Sequence, residues 1–163
     1  MKNRKIEKLS NCKINIGEIV RMKNGGNAMN THQVTVNGKN VELSPFLKEI
    51  GIQTVQIEEG QVMTELPVTP SIQNALGFVH GGVYATMLDQ ILTLCCYTIS
   101  KCFVVTIDLN IHYVANIQEG KLVATAKIFQ QGKQIMMGQG EIRDEKGNLL
   151  AVGTGSFKII RNP

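Results

Sequence analysis

The hydrophobic and polar positions along the chain change their spacing several times, and each change marks the boundary of a predicted element. Residues 52–58 and 61–68 are two runs of strand character joined by Glu59-Gly60. Residues 83–99 then form the longest apolar stretch, which has the composition and length of a helix that is buried on most sides. Four further segments of strand character, separated by turn-forming residues, follow at 103–114, 120–130, 133–143 and 149–160.

This order of elements limits the fold. Strands that no helix separates pair largely antiparallel. A single helix that is apolar on most faces needs a sheet curled around it, because each apolar face has to be covered. We therefore predict an α+β hotdog fold, in which a curved antiparallel sheet of five or six strands wraps around one long central helix. Gly138 and Gly140, like Gly153 and Gly155, fall inside predicted strands and indicate bulges or close strand packing.

The segment before this core contains a short helix and a basic extension. Ser44-Pro45 supplies a helix N-cap and a first-turn proline, and Gly51 supplies a stop, so we predict a helix over residues 45–50. We assign residues 1–43 to an N-terminal extension of unknown role and residues 44–163 to the hotdog domain.

The extension holds all the excess positive charge of the chain. Residues 1–43 carry eight Lys and Arg against three Glu, whereas the remaining 120 residues carry nine basic and ten acidic side chains. A basic segment of this kind is able to contact nucleic acid or an anionic membrane, but a solubilising or loosely docked extension is the simpler interpretation. Val34 and Val36 precede Asn37-Gly38, and Val41 and Leu43 follow it, which favours a short hairpin with a tight turn.

Composition excludes several classes of protein. With 163 residues, of which 43% are hydrophobic, the chain has the make-up of an ordinary globular domain. Tryptophan is absent and other aromatic residues are few, so little is available to stack on bases and we expect no nucleic-acid partner. The four cysteines lack paired spacing and indicate free thiols in a reducing cytoplasm. No apolar segment follows the basic N-terminus, and residues 83–99 contain Asp89 and are too few to span a bilayer, so we expect a cytoplasmic location without a membrane partner.

One carboxylate interrupts the predicted helix. Asp89 is the only Asp, Glu, Lys or Arg between residues 66 and 100. A carboxylate on an otherwise apolar helix is costly unless it has a partner or lies in a site. Asp89 is therefore either a nucleophile or general base, or a structural acid that is hydrogen-bonded at a subunit contact.

The start of the same helix carries Gly81-Gly82. Residues without a Cβ atom let a ligand approach the backbone closely, and the first N–H groups of a helix lack internal partners. Such a position suits a carbonyl oxygen that gains negative charge during acyl transfer. Asp89 follows Gly82 by seven residues, which is roughly 10 Å along a helix axis. One helix cannot easily supply both groups to one carbonyl, so we predict a site shared between two protomers at a two-fold interface.

The motif around these residues resembles that of a known family. The pattern N-x-x-G-x-x-H-G-G over residues 74–82, followed by Asp89, resembles the PaaI-type branch of the hotdog acyl-CoA thioesterases. Residues 106–113 resemble the strand after the helix in that family, and Gln131-Gly132-Lys133 resembles its second long hairpin turn. The likeness extends over about residues 44–160, so it leaves the basic extension unexplained.

The resemblance implies a role for each residue of the motif. Asp89 would attack the thioester or activate water, and the backbone N–H of Gly81 would polarise the thioester carbonyl. His80 and Asn74 would shape that pocket, with Asn74 close to the reacting carbonyl or water, and Thr106 would position the water. Members of the family form dimers, commonly paired into tetramers, in which the Asp and the His-Gly-Gly loop meet across the dimer interface. We accordingly expect a homodimer that assembles into a dimer of dimers.

Other residues are either candidates for substrate binding or have a structural interpretation. The binding candidates are Gly82, Tyr84, Leu88 and Lys133, of which Tyr84 and Leu88 would border the acyl tunnel. His80 without its neighbours would be an ordinary structural histidine, and we interpret His112 as structural and Cys95 and Cys96 as core residues. Three histidines without an i, i+4 pair do not predict a metal site, and we expect no cofactor.

We therefore predict hydrolysis of an acyl-CoA to a carboxylic acid and free CoA. A thioester is reactive and its thiolate leaves readily, so one carboxylate and one oxyanion site suffice. Two alternatives remain open. A hydratase or dehydratase of the same fold would use a paired His and acid in other registers. A non-catalytic acyl-CoA-binding module would use residues 1–43 to bind DNA or a partner, although the extension contains no convincing helix-turn-helix.

Overall fold

The computed structural model describes residues 33–36, 39–42 and 44–160 of the chain. Its elements agree with the predicted ones in type and order, with bounds that differ by at most two residues. In chain order they are β1 (Gln33–Val36), β2 (Lys39–Glu42), α1 (Pro45–Ile50), β3 (Gln53–Glu58), β4 (Gln61–Pro67), a 3-10 turn (Pro70–Ile72), α2 (Gly81–Ser100), β5 (Phe103–Tyr113), β6 (Lys121–Gln131), β7 (Ile135–Asp144) and β8 (Leu149–Ile160).

The predicted sheet and central helix are confirmed. Six strands form one antiparallel sheet in the order β3-β4-β6-β7-β8-β5, so β3 and β5 are its edges. β1 and β2 pair only with each other, as the predicted hairpin requires, while the Asn37-Gly38 turn itself lies outside the described residues. α2 packs on one face of the six-stranded sheet. This is the hotdog arrangement.

α2 is buried on most sides. Tyr84, Met87, Leu88, Ile91, Leu92, Cys95 and Cys96 are each at most 1% exposed. Burial of each large apolar side chain contributes roughly 1.5–3 kcal/mol, so this helix anchors the core. Over the described part of the chain, no helix is long and apolar enough to cross a membrane.

Glycines in the sheet make room for the helix. Gly138 lies opposite Gly155, and Gly140 lies opposite Gly153, so the four form a compact patch on β7 and β8. A Cβ atom on Gly138 would lie 2.8 Å from the Leu92 side chain, and one on Gly140 would lie 2.9 Å from Leu88. The predicted close packing is confirmed, because these glycines lie against α2 as well as against the neighbouring strands.

The short helix α1 is fixed at both ends. The Ser44 hydroxyl accepts a hydrogen bond from the Leu47 N–H at 3.4 Å, and Pro45 begins the helix. Gly51 ends it with φ of +85°, and the N–H groups of Gly51 and Ile52 both donate to the Leu47 carbonyl. Leu47 is only 7% exposed and Ile50 packs against the same core, so these two side chains hold α1 on the core.

Candidate active site

The loop before α2 is shaped by its own side chains. The Asn74 Oδ1 atom accepts hydrogen bonds from the N–H groups of Leu76 at 2.9 Å and Phe78 at 3.2 Å. Gly77 completes the turn with φ of +79°, which favours glycine. Asn74 and Gly77 of the motif therefore build the turn that leads the chain into the helix, and the side-chain oxygen of Asn74 is committed to that turn.

His80 is the N-cap of α2. Its Nδ1 atom accepts a hydrogen bond from the Gly82 N–H at 2.9 Å, and its carbonyl accepts one from the Val83 N–H at 2.9 Å. The Gly81 N–H, in contrast, makes no hydrogen bond to any residue that the structure describes. Of the two glycines, Gly81 is therefore the one whose donor is available to a ligand, at the positive end of the helix dipole.

A cleft of about 340 Å³ lies beside Gly81 and is lined by residues of α2 and the end of β5. The Tyr113 hydroxyl donates to the Gly81 carbonyl at 3.3 Å. The Tyr84 hydroxyl donates to Asn116 Oδ1 at 2.7 Å, and Asn116 in turn donates to the Val79 carbonyl at 3.0 Å. This network ties the chain after β5 to the loop that carries Gly81.

Tyr84 is a permanent donor in that network. Burial raises the pKa of its phenol to about 12, and an interaction with the Ile117 backbone opposes the rise. The phenol therefore keeps its proton at neutral pH. The sequence did not point to Tyr113 or Asn116 as neighbours of Gly81, because they come from a segment more than thirty residues away.

Asp89 lies two turns further along α2 and is half-buried. Its Oδ1 atom accepts a hydrogen bond of 2.6 Å from the Thr106 hydroxyl. It forms no ion pair with any of the described residues. The second carboxylate oxygen therefore remains available, while the first is held by a neutral donor.

A bulge in β5 turns Thr106 toward the helix. Thr106 pairs with Phe157 and Asp108 pairs with Ser156, so Ile107 is an extra residue on this strand. Because a bulge shifts the alternation of side chains by one, Thr106 and Leu109 both face α2. Strict alternation would have placed one of them on the opposite face. The structure thus brings together Asp89 and Thr106, two of the predicted site residues.

A second cleft, of about 380 Å³, surrounds Asp89. Its lining comes from α1, α2 and β5, and comprises Ser44, Phe46, Leu47, Ala85, Thr86, Asp89, Gln90 and Leu109. The sequence predicted α1 as a helix but gave no indication that it borders Asp89. Gln90 was also missed, and its amide has no hydrogen-bond partner among the residues described.

Gly81 and Asp89 do not share a cleft within this chain. They line separate clefts, and their eight-residue separation along α2 corresponds to about 12 Å. His80, Gly81 and Gly82 cluster at the start of the helix. Each cleft of one chain therefore contains only one of the two predicted reacting groups.

The remaining binding candidates are scattered. Tyr84 lines the cleft beside Gly81, whereas Gly82 has its N–H engaged by His80. Leu88 is fully buried against the glycine patch and lines neither cleft. Lys133 is exposed in the turn between β6 and β7, also outside both clefts.

The thiols of the central helix are core residues, as predicted. Cys95, Cys96 and Cys102 are free cysteines. Burial raises the pKa of the Cys95 and Cys96 thiols to about 12, so neither is a thiolate at neutral pH. A cysteine nucleophile on α2 is therefore excluded.

Known proteins resemble this chain in sequence. Residues 76–151 match the family model of the thioesterase superfamily. Human acyl-coenzyme A thioesterase 13 is 31% identical over 105 residues, which cover 63% of this chain and 75% of that protein. The 1,4-dihydroxy-2-naphthoyl-CoA hydrolase of Listeria monocytogenes is 29% identical over 112 residues, covering 68% of this chain and 91% of that one.

Solved structures agree on the fold. The PaaI protein from the phenylacetic acid degradation operon of E. coli superposes with a TM-score of 0.69 at 24% identity, covering 73% of this chain and 86% of that one. Zebra fish thioesterase superfamily member 2 gives a TM-score of 0.67 at 24% identity, with coverages of 72% and 88%. The chain has the hotdog fold, its residues 76–151 match the family model, and it covers 75% of a relative that is 31% identical. It therefore belongs to the thioesterase superfamily and is a thioester hydrolase.

Proposed function

We propose that this protein hydrolyses an acyl-CoA to a carboxylic acid and free CoA, with Asp89 as the nucleophile or general base. The observation that carries the proposal is the Asp89 carboxylate, which forms no ion pair with the described residues and is held by Thr106 in a cleft of a thioesterase-superfamily fold. The acyl-CoA substrate is supported by two relatives whose names specify CoA thioesters.

The chemistry follows two possible routes from the same carboxylate. In one, the free Asp89 oxygen attacks the thioester carbon, the C–S bond breaks, and water then hydrolyses the resulting anhydride. In the other, Asp89 takes a proton from water while the water oxygen attacks that carbon, and the proton passes to the departing thiolate. Both routes consume one water and yield a carboxylic acid and a thiol.

Thr106 has the same role in either route. Its hydroxyl donates a short hydrogen bond to Asp89 Oδ1. This hydrogen bond fixes the plane of the carboxylate and directs Oδ2 at the substrate. A nucleophile that is already oriented avoids the entropic cost of finding its line of attack.

The oxyanion donor in this proposal is the Gly81 N–H. Support comes from its lack of a partner in the described residues and from its place at the helix start. His80 contributes indirectly, since its cap fixes the first turn and occupies the Gly82 N–H. Asn74 contributes through the turn before it.

We further propose that the protein is a homodimer whose sites combine Asp89 of one protomer with Gly81 of its partner. The separation of the two clefts within one chain supports this. So does the long edge strand β5, which pairs on one side only and exposes Phe103, Val105 and Ile107. Apolar edge strands of this length associate readily with a second chain.

Four expectations remain proposals. They are that dimers pair into tetramers, that the protein is cytoplasmic, that residues 1–43 form a separate extension, and that the substrate contacts Gly82, Tyr84, Leu88 and Lys133.

The decisive experiment measures thiol release from a panel of acyl-CoA thioesters. Asp89→Asn and Asp89→Ala should each lower kcat by roughly 10²–10⁴ while the fold persists, because they remove the reacting carboxylate. Glu119→Gln is the control, since Glu119 is exposed in the loop between β5 and β6 and lines neither cleft. Full turnover of the best substrate by Asp89→Asn would contradict the assignment.

A further inference from the structure

Helix α1 contributes an exposed aromatic side chain to the Asp89 cleft. Phe46 is 62% exposed, although the next residue, Leu47, is only 7% exposed and anchors the helix. Both line the cleft that contains Asp89. A large apolar side chain exposed beside a reacting carboxylate offers a surface for the apolar part of a substrate.

This wall lies on a short helix before the residues that match the family model, since that match covers residues 76–151 and α1 ends at Ile50. The helix is held by the Ser44 cap, the left-handed Gly51 and the buried Leu47. Phe46 is therefore presented on a fixed element, which is the condition for a side chain to discriminate between substrates by size.

The chemistry of the lining distinguishes the two halves of a CoA thioester. The CoA half carries phosphates, which proteins hold with Lys, Arg or backbone N–H groups. None of the residues lining the Asp89 cleft is Lys or Arg. Phe46, Leu47, Ala85 and Leu109 make most of its wall apolar. Such a wall suits an acyl group and not a phosphate.

A thioester carbon within reach of Asp89 carries both the acyl carbon and the CoA sulfur, so the first atoms of each half have to lie beside Asp89. The apolar lining is what favours the acyl half on the side of α1. We propose that the acyl group lies between α1 and α2, and that Phe46 sets the size of the acyl group that the enzyme accepts. This inference rests on the proposed acyl-CoA thioesterase function.

The test compares kcat/KM across acyl-CoA thioesters of increasing acyl size for wild type, Phe46→Ala and Phe46→Trp. Phe46→Ala should shift the ratio of kcat/KM for bulky over short acyl groups upward by about tenfold, and Phe46→Trp should shift it downward. Phe129→Ala is the matched control, because Phe129 is 55% exposed on β6 and lines neither cleft. It should leave the ratio unchanged.

Each other outcome has a defined meaning. If Phe46→Ala and Phe46→Trp change kcat/KM equally for all acyl groups, Phe46 does not select size and the inference is overturned. If Phe46→Ala changes the molar mass of the protein in solution, the side chain belongs to a subunit contact and the inference is likewise overturned. Absence of turnover by wild type on every thioester would instead refute the proposed function, and this inference with it. Retained turnover by Asp89→Asn, with the acyl preference still shifted by Phe46, would refute only the role of Asp89.

Discussion

The two candidate reacting groups of α2 are held in different ways. At Gly81 the helix start is shaped mainly by adjacent residues, since His80 caps the helix and Asn74 builds the preceding turn, while Tyr113 of β5 donates to the Gly81 carbonyl. At Asp89 the surroundings come from other elements: Thr106, 17 residues later, holds the carboxylate, and Phe46 of α1 lines the same cleft.

This difference follows from what each group has to do. A backbone donor is positioned by fixing the backbone, and local caps and turns achieve that. A side-chain carboxylate keeps its own rotatable bonds, so a hydrogen-bond donor beside it has to orient it, and at Asp89 that donor is the Thr106 hydroxyl. Changes to the residues that fix the backbone of Gly81, such as His80 and Gly82, should therefore lower the stability of the fold, whereas changes around Asp89 should affect catalysis with little effect on stability.

After Asp89, the largest effect is expected at Gly81. Gly81→Val should lower kcat by roughly 10²–10³, because its side chain blocks the approach of the carbonyl oxygen to the N–H. Gly81→Ala is the sharper variant: its Cβ would meet only the Tyr113 ring, at an ordinary 3.7 Å, so the fold should tolerate it. Thiol-release kinetics and thermal melting should show lost turnover at a nearly unchanged Tm.

Gly82→Ala separates an effect on stability from an effect on catalysis. A Cβ on Gly82 would lie 3.1 Å from His80 Nδ1, so this variant should strain the cap and lower the Tm. Equal losses of Tm in Gly81→Ala and Gly82→Ala would show that Gly81 serves the fold and not the substrate.

A smaller effect is expected at Thr106. Thr106→Val keeps the shape but removes the hydroxyl, and the loss of a bond to a charged acceptor should lower kcat about tenfold with KM little changed. Thr106→Ser should restore most of kcat. A Thr106→Val enzyme with a raised KM and an unchanged kcat would mean that Thr106 binds substrate instead of orienting Asp89.

The smallest catalytic effect is expected at His80. His80→Ala should lower the free energy of unfolding by about 0.5–2 kcal/mol through the lost cap, and His80→Asn should recover it, since Asn is a good N-cap. Denaturant unfolding measures this. If His80→Ala lowered kcat more than Asp89→Ala does, His80 would be the base, and the dehydratase alternative would gain support.

The sequence predicted the features that depend on local pattern. The strand runs, the apolar α2 and the capped α1 were all recognisable, because each has its own periodicity or its own start and stop residues. The glycine pairs of β7 and β8 indicated close packing, although not that α2 would be the neighbour.

The sequence predicted the surroundings of the two glycines and of Asp89 less completely. The bulge at Ile107 cannot be found from alternation, because it is a break in that alternation. The proximity of α1 to Asp89, and of Asn116 to Tyr84, depends on packing between distant segments, which leaves no mark in a single sequence. Asn74 has a clear local role in the turn, which resemblance alone had not indicated.

In the proposed shared site, Asp89 of one protomer acts with Gly81 of another. Inactive Asp89→Ala and inactive Gly81→Val proteins should be mixed in equal amounts under conditions that allow subunit exchange, with exchange confirmed by native mass spectrometry. About half of the dimers are then mixed, and each contains one complete site and one with both lesions, so activity should return to roughly one quarter of the wild-type value. If exchange is complete and no activity returns, Asp89 and Gly81 do not meet across an interface, and the site has to lie within one chain.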